Sequence, residues 1–288
     1  NSVAGNTVLG EGALDASVSG GLNTAIGKNA LTSNTSGASN TALGLSSLFS
    51  NTTADNNTAI GTNTLLVNTT GSNNTAVGFT SLSANTTGGF NVAVGANALD
   101  ANLTGSQNTA IGENSLTNNT ASDNTAVGRD SLRDNTSGNH NTAVGKDALE
   151  LNTTGAENTA VGAKALDANT TASGGAAFGL GALGANTTGA ENTALGASSM
   201  QQNSTGASNV AVGNQALKSN TTASDNTAVG YKSLLSNTTG NSNVAIGFEA
   251  LKDSTTSSNN TALGYKSLLS NTTGNSNVAV GANALVAC

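Results

Sequence analysis

The sequence predicts an all-β fold, a parallel β-solenoid (β-roll) of about 17 coils with a 17-residue repeat. Three observations predict it. The residues Asn141–Gly145 read NTAVG, and this phrase or a close variant recurs along the chain at a spacing of 17 residues. Within each phrase the residues alternate with the two-residue period of a β-strand. Two short extended pieces and two turns use up each repeat, which leaves no room for a helix of ordinary length.

The repeat covers nearly the whole chain. When the first residue of each phrase is numbered as repeat position 0, the 288 residues contain 17 units, the last one incomplete. The step from Asn108 to Asn124 is one residue short. A fixed period over so many units is typical of stacked coils. We therefore interpret residues 1–288 as a single solenoid and as part of a longer chain. The units begin at Asn6, Asn23, Asn40, Asn57, Asn74, Asn91, Asn108, Asn124, Asn141, Asn158, Gly175, Asn192, Asn209, Asn226, Asn243, Asn260 and Asn277.

Each repeat position keeps its own residue type. Position 4 is always Gly, position 2 is Ala except for Val8, and position 8 is Leu except for Met200. Position 3 is always Val, Ile, Leu or Phe. We expect the large side chains of positions 3 and 8 to be buried, with position 8 carried inwards by a second short strand or a tight turn. Gly at position 4 indicates a backbone angle or a close approach that a side chain would block.

Asn recurs at position 0 and again at position 11, where Thr or Ser usually follows it. Stacked coils place equivalent residues about 4.8 Å apart, so both Asn columns are predicted to form ladders of side-chain amides. Such ladders satisfy polar groups whose burial would otherwise cost free energy. The lack of Pro agrees with this, since internal backbone N–H groups are needed for coil-to-coil hydrogen bonds. Gly175 replaces Asn at position 0, so the ladder of that position is expected to be interrupted there.

The composition excludes several classes of protein. Charged residues make up 9% of the chain, against about 25% in a typical soluble domain, and the net charge is −7. There is no basic patch for nucleic acid and no run of apolar residues that would span a membrane. The charges fall at positions 5, 6, 9 and 10 and just before the next unit, which we interpret as solvated positions. The single cysteine, Cys288, permits no intrachain disulfide.

We predict that the protein is not an enzyme and has no catalytic residues, cofactor site or metal site. His140 is the only His, and Asp123 and Glu157 share its repeat position in the flanking units. Such a row is compatible with a metal site or an acid–base pair. Three solvated turn residues are the favoured interpretation.

Two other columns stand out. Asp130 and Asp147 share position 6, beside Arg129 and Lys146, and indicate a mixed-charge surface. An aromatic row at position 5 could bind sugars, but we favour a role in covering a coil edge or packing against a neighbouring chain. The row contains Phe79, Tyr231, Phe248 and Tyr265.

Self-association is expected from the energetics of one coil. Its two large apolar residues stabilise by about 1.5–3 kcal/mol each on burial, whereas ordering each residue costs about 1–2 kcal/mol. Lateral contacts would help to close this gap. Position 1 alternates between Thr and Val, as a half-buried contact would. We therefore expect a homotrimer or an end-to-end filament.

The phrases Asn91–Gly95, Asn243–Gly247 and Asn277–Gly281 read NVAVG, NVAIG and NVAVG. They resemble the head repeat of trimeric autotransporter adhesins. The longer phrase Asn141–Gly155 is similar to repeats in phage tail fibres and large bacterial surface proteins. The resemblance implies a left-handed parallel β-roll with three chains per head. The period of 17 and the Asn-Thr-Thr-Gly turn differ from the adhesin heads, whose coils are shorter.

These observations lead to two functional expectations. The first is a structural repeat rod of an extracellular fibre or surface adhesin, on a bacterial cell surface or a virion, that presents or forms an attachment filament. Its partners would be other copies of the chain and cell-surface glycans. The alternative is an ice- or polysaccharide-binding β-solenoid that uses Thr arrays at positions 1, 12 and 13. A polysaccharide-cleaving enzyme is disfavoured because clustered acids are missing.

Overall fold

A computed structural model describes residues 3, 5–16 and 18–286. These residues form seventeen three-residue β-strands with parallel pairing and an all-β solenoid with a 17-residue repeat, as the sequence predicts. No helix occurs among them, and hence none that is long and apolar enough to cross a membrane. The chain divides into two compact units, Asn1–Asn141 and Thr142–Cys288, and each is described by itself.

In both units the strands stack in chain order and in register, so that each residue pairs with its counterpart one coil later. The step from β7 to β8 is one residue shorter, yet the register is kept. The first unit holds β1 (Thr7–Leu9), β2 (Thr24–Ile26), β3 (Thr41–Leu43), β4 (Thr58–Ile60), β5 (Thr75–Val77), β6 (Val92–Val94), β7 (Thr109–Ile111) and β8 (Thr125–Val127). The second holds β9 (Thr142–Val144), β10 (Thr159–Val161), β11 (Ala176–Phe178), β12 (Thr193–Leu195), β13 (Val210–Val212), β14 (Thr227–Val229), β15 (Val244–Ile246), β16 (Thr261–Leu263) and β17 (Val278–Val280).

Position 8 lies in a tight turn. It does not lie in a second short strand, which the sequence had left as the other possibility. Two tight turns follow each strand; in the second coil they are closed by Ala30 N–H to Gly27 O (3.3 Å) and Asn34 N–H to Leu31 O (3.2 Å). Leu31 has a φ of 51°, a left-handed conformation that costs about 1–2 kcal/mol. Its side chain is fully buried, and burial of a Leu stabilises by about 1.5–3 kcal/mol. Burial of the Leu31 side chain therefore offsets the cost of its left-handed backbone conformation.

Gly at position 4 is required both by its backbone angle and by a close approach of the next coil, the two reasons that the sequence predicted. Gly27 has a φ of 129°, a region that L-residues avoid. A Cβ added to Gly27 would also lie 2.5 Å from the carbonyl oxygen of Gly44, the equivalent residue one coil later. Since the coils stack in register, the same close approach repeats along each unit.

The expectation that position 3 is buried is wrong. The core contains the Ala of position 2, the small residue of position 7 and the Leu of position 8; Ala25 and Leu31 are typical, with no exposed surface. Side chains alternate across a strand, so burial of positions 0 and 2 forces positions 1 and 3 outwards. Leu43 and Leu195 at position 3 are 42% and 49% exposed. Ala in the strand and Leu in the turn fill the narrow interior between them.

The predicted Asn ladders are present, and the two columns are built differently. At position 11 one amide bonds to the next, as from Asn51 Nδ2 to Asn34 Oδ1 (2.8 Å) and from Asn85 Nδ2 to Asn68 Oδ1 (2.7 Å). At position 0 the side chain mainly forms hydrogen bonds with backbone groups. Asn23 Oδ1, for example, accepts from the backbone N–H one coil later (2.9 Å), and its Nδ2 donates to the Gly37 carbonyl (2.9 Å).

The position-11 ladder breaks at two coils, and each break leaves a buried oxygen without a partner. Asn102 Oδ1 is unpaired next to the shortened coil, where Asn119 Nδ2 donates to the Ala121 carbonyl but does not reach Asn102. Asn237 Oδ1 is unpaired because Ser254 replaces Asn in the next coil. These exceptions show that the ladder depends on both residue type and coil length.

Candidate functional site

The outward sheet face, formed by positions 1 and 3 of the strands, is a regular surface that continues from strand to strand in each unit. None of its residues is charged; position 1 is Thr, Val or Ala, and position 3 is Val, Ile, Leu or Phe. Strands of three residues, spaced about 4.8 Å apart, give this face an area of roughly 400 Å² in each unit. An apolar patch of about 300–600 Å² is the largest that a typical monomer exposes, and it is often functional.

The Thr columns differ in what their hydroxyls do. At position 12 the hydroxyl donates to a backbone carbonyl of the next coil, as from Thr52 to Thr69 (3.1 Å) and from Thr69 to Thr86 (3.1 Å). The hydroxyls of position 1, such as that of Thr58, make no hydrogen bond within the described part of the chain. The position-1 hydroxyls lie on the outward sheet face, whereas Thr at position 13, such as the exposed Thr53, lies in a turn.

Three aromatic side chains of the predicted row are stacked on one another. The ring centroids of Tyr231, Phe248 and Tyr265 are successively 5.4 Å apart, with interplanar angles of 24° and 13°. Lys232 Nζ lies 5.0 Å from the Tyr231 centroid and Lys266 Nζ lies 5.3 Å from that of Tyr265. Stacking and cation–π contacts use ring faces that a sugar would need, so this row is a poor sugar platform.

The His140 row lies in exposed turns. In the first unit, Asp123 and His140 have left-handed φ values of 62° and 55°, and both are exposed. Glu157 occupies the equivalent turn of the second unit and is also exposed. No group of three metal-binding side chains occurs among the residues that the structure describes.

The interpretation of position 6 as solvated is wrong for two carboxylates. Asp130 and Asp147 are only 6% and 7% exposed. Asp130 accepts a hydrogen bond from Asn114 Nδ2 (3.0 Å) and pairs with Arg129 (2.8 Å), while Asp147 pairs with Lys146 (3.5 Å). The left-handed turn directs position 6 along the stack, so these carboxylates pack against the neighbouring coil.

A notch of about 430 Å³ interrupts the surface of the second unit. It forms where Gly181 and Gly184, at positions 6 and 9 of one coil, leave space that side chains fill elsewhere. The sequence analysis did not single out this site. The sequence does contain a signal for this notch, because the unit that begins at Gly175 departs from the repeat at positions 0, 6 and 9 together.

Cys288 lies outside the described residues. Comparison with known proteins adds no relative: neither a protein family nor a curated protein sequence matches this chain. The function is therefore argued from the surfaces described above.

Proposed function

We propose that this chain is a structural repeat segment of an extracellular fibre or surface adhesin, and that it self-associates through the outward sheet face. The observation that carries the proposal is the uncharged face of roughly 400 Å² in each unit. Exposed faces of this kind cost free energy in water and favour association. The resemblance to adhesin heads and tail-fibre repeats favours three copies and a location on a bacterial surface or virion.

The repetitive construction also supports a structural role. Each coil adds the same strand, turns and amide ladders, so that lengthening the chain adds surface without adding new chemistry. Charged residues are confined to the turns, whereas the strands contain none. A fibre segment needs such a uniform, extendable surface. An enzyme instead needs a local departure that gathers acids, bases or nucleophiles.

Light scattering tests the proposal. The wild-type chain is expected to have a multiple of the 27.8 kDa monomer mass, with three copies as the favoured number. A double variant, Ile60→Glu with Ile111→Glu, places charges on the outward sheet face and should yield monomers. Leu103→Glu is the matched control, since Leu103 is 50% exposed but lies at position 12.

Two results would contradict self-association through this face. One is a wild-type protein that remains monomeric at every concentration tested. The other is a double variant that keeps the wild-type mass, which would place the contact elsewhere.

The free hydroxyls of position 1 favour a second candidate function, the binding of ice or a crystalline polysaccharide. Thr24, Thr41, Thr58 and Thr75 follow one another in register on the outward sheet face. Their hydroxyls and methyl groups form a flat, regular column beside the aliphatic column of position 3. The position-12 column cannot serve in the same way because its hydroxyls bond internally.

Thermal hysteresis in dilute solution separates the two candidates. An ice-binding protein should depress the freezing point below the melting point, and Thr58→Lys should reduce this gap markedly. Thr53→Lys, at the exposed turn position 13, should leave it unchanged. If wild-type protein shows no hysteresis, ice binding is rejected and only self-association or polysaccharide binding remains for this face.

A further inference from the structure

The notch is lined by residues of four consecutive coils. Lys164 and Asp167 line it on one side, and Gln201 and Lys218 line it on the other. A Cβ on Gly184 would lie 3.1 Å from Asp167 Oδ1. A Cβ on Gly181 would lie 3.6 Å from Gln201 Nε2. The carboxylate and the carboxamide therefore reach towards the space that the two glycines leave open.

Two ammonium groups at this notch lack the short-range partners that the other cations of the chain have. The structure describes all nine Lys and Arg residues. Six of them form ion pairs: Lys28, Arg129, Arg133, Lys146, Lys252 and Lys266. Lys232 lies over the ring of Tyr231. Lys164 and Lys218 have neither an ion pair nor a ring contact among the described residues, and both line the notch.

Asp167 is partly desolvated in the notch. Burial, and to a smaller extent the neighbouring Glu150 and Asp147 carboxylates, raise the pKa of its carboxyl above the ordinary value, although the nearby Lys164 ammonium and the residue's own backbone N–H act in the opposite direction. A carboxylate that has lost water gains from new hydrogen-bond donors. Sugar hydroxyls would supply such donors without introducing another charge.

We propose that the notch binds a carboxylated sugar unit of an acidic polysaccharide. Lys164 and Lys218 supply ammonium groups for the carboxylate, since charge-assisted hydrogen bonds are the stronger ones. Asp167 accepts from hydroxyls, and the Gln201 carboxamide both donates and accepts. The C–H face of the ring would lie against the backbone of Gly181 and Gly184, where no side chain intervenes. The volume of about 430 Å³ lies within the range of small-ligand sites, about 300–1,000 Å³.

This site adds a ligand to the fibre proposed above and does not depend on self-association. It lies at positions 6 and 9, whereas the outward sheet face lies at positions 1 and 3. Loss of one function can therefore be measured without loss of the other. Light scattering reports on association, and a saccharide titration reports on the notch.

The test fills the notch with residues that the repeat already uses. The double variant carries Gly181→Asn and Gly184→Gln. Gly181 has a φ of 62°, close to the 55° of Asn97 at the same repeat position, so Asn is accommodated without new strain. Gln201 occupies the position of Gly184 one coil later. Gly12→Asn, in the first unit, is the matched control at a glycine with a φ of 67°.

Isothermal titration with an oligogalacturonate would measure binding, and its methyl ester is the uncharged counterpart. We expect the wild type and the Gly12→Asn control to bind the oligogalacturonate equally. The filled variant and the methyl ester should each bind at least about tenfold more weakly, which corresponds to about 1.4 kcal/mol. No binding by the wild type, equal binding by the filled variant, or equal binding of the ester would each overturn the assignment. Circular dichroism confirms that the filled variant is folded.

Discussion

Asn85→Ala and Asn102→Ala remove the same side chain from adjacent coils of the first unit, and both side chains are fully buried. Their hydrogen bonding differs because the position-11 ladder ends at Asn102. Asn85 Nδ2 donates to Asn68 Oδ1 (2.7 Å) and to Gly88 O (2.9 Å). Asn85 Oδ1 accepts from Asn102 Nδ2 (2.9 Å). Asn102 Nδ2 also donates to Gly105 O (2.9 Å), but Asn102 Oδ1 has no partner.

The expected magnitudes follow from these contacts. One hydrogen bond contributes about 1 kcal/mol net, and a buried acceptor left unpaired costs about 1–3 kcal/mol. Asn85→Ala removes three hydrogen bonds and leaves Asn68 Oδ1 unpaired, which amounts to about 4–6 kcal/mol. Asn102→Ala removes two and leaves Asn85 Oδ1 unpaired, but it also removes an oxygen that was already unpaired. Its cost is therefore about 2 kcal/mol.

Native-state hydrogen exchange, read by mass spectrometry on peptides from these coils, measures the difference locally. This assay is suitable because stacked repeats open in parts rather than all at once. Asn85→Ala should lower the opening free energy by about 2–4 kcal/mol more than Asn102→Ala. Equal effects within about 0.5 kcal/mol, or the reverse order, would refute the view that an uninterrupted ladder carries this stability.

Four further substitutions test single positions. Gly61→Ala should lower the free energy of unfolding by about 2–5 kcal/mol, because φ is 135° and the new Cβ would lie 2.4 Å from Gly78 O. Gly71→Ala should cost less, although its Cβ would also lie 2.3 Å from Gly88 O, because Gly71 lacks the positive φ of Gly61 and Ala54 occupies the same repeat position one coil earlier; similar melting temperatures for the two variants would contradict this. Gly175→Asn should raise the urea midpoint by restoring about 1–2 kcal/mol of hydrogen bonding to the ladder, and a lowered midpoint would argue against it. Because burial raises the pKa of Asp167, its charged form is disfavoured in the folded state, and this destabilisation disappears as the pH falls through the folded pKa. Asp167→Asn should therefore stabilise the protein near neutral pH but not in acid; equal stabilisation at both pH values would exclude the carboxylate as the cause.

The repeat predicted the fold closely because each coil packs against neighbouring coils that have nearly the same sequence. Gly at every position 4 predicted a backbone that no side chain tolerates, and Gly27 shows both the angle and the close approach. Asn at positions 0 and 11 predicted ladders, since in-register stacking brings like residues together. The step from Asn108 to Asn124 likewise predicted a shorter coil, and strand register is kept across it.

The candidate sites were harder to predict because they depend on the direction of side chains and on neighbours across several coils. The alternation of Asn-Thr-Ala-Val is compatible with either face being buried, and the apolar character of position 3 favoured the wrong one. Asp130 was expected in solvent but accepts a hydrogen bond from Asn114 of the preceding coil. The notch requires Lys164 and Lys218, far apart in the chain, to lie around the same two glycines.

The solenoid, its period, its glycine corners and its Asn ladders follow from the amino-acid sequence alone, because all of these features repeat with every coil and need only local rules. The tertiary structure decided which face of the strand is buried. Only in the closed coil do Ala at position 2 and the left-handed Leu at position 8 fill the narrow interior, leaving no room for Val or Ile at position 3. The aliphatic and Thr columns are consequently half-buried or exposed, and they form the surface on which the proposed self-association depends.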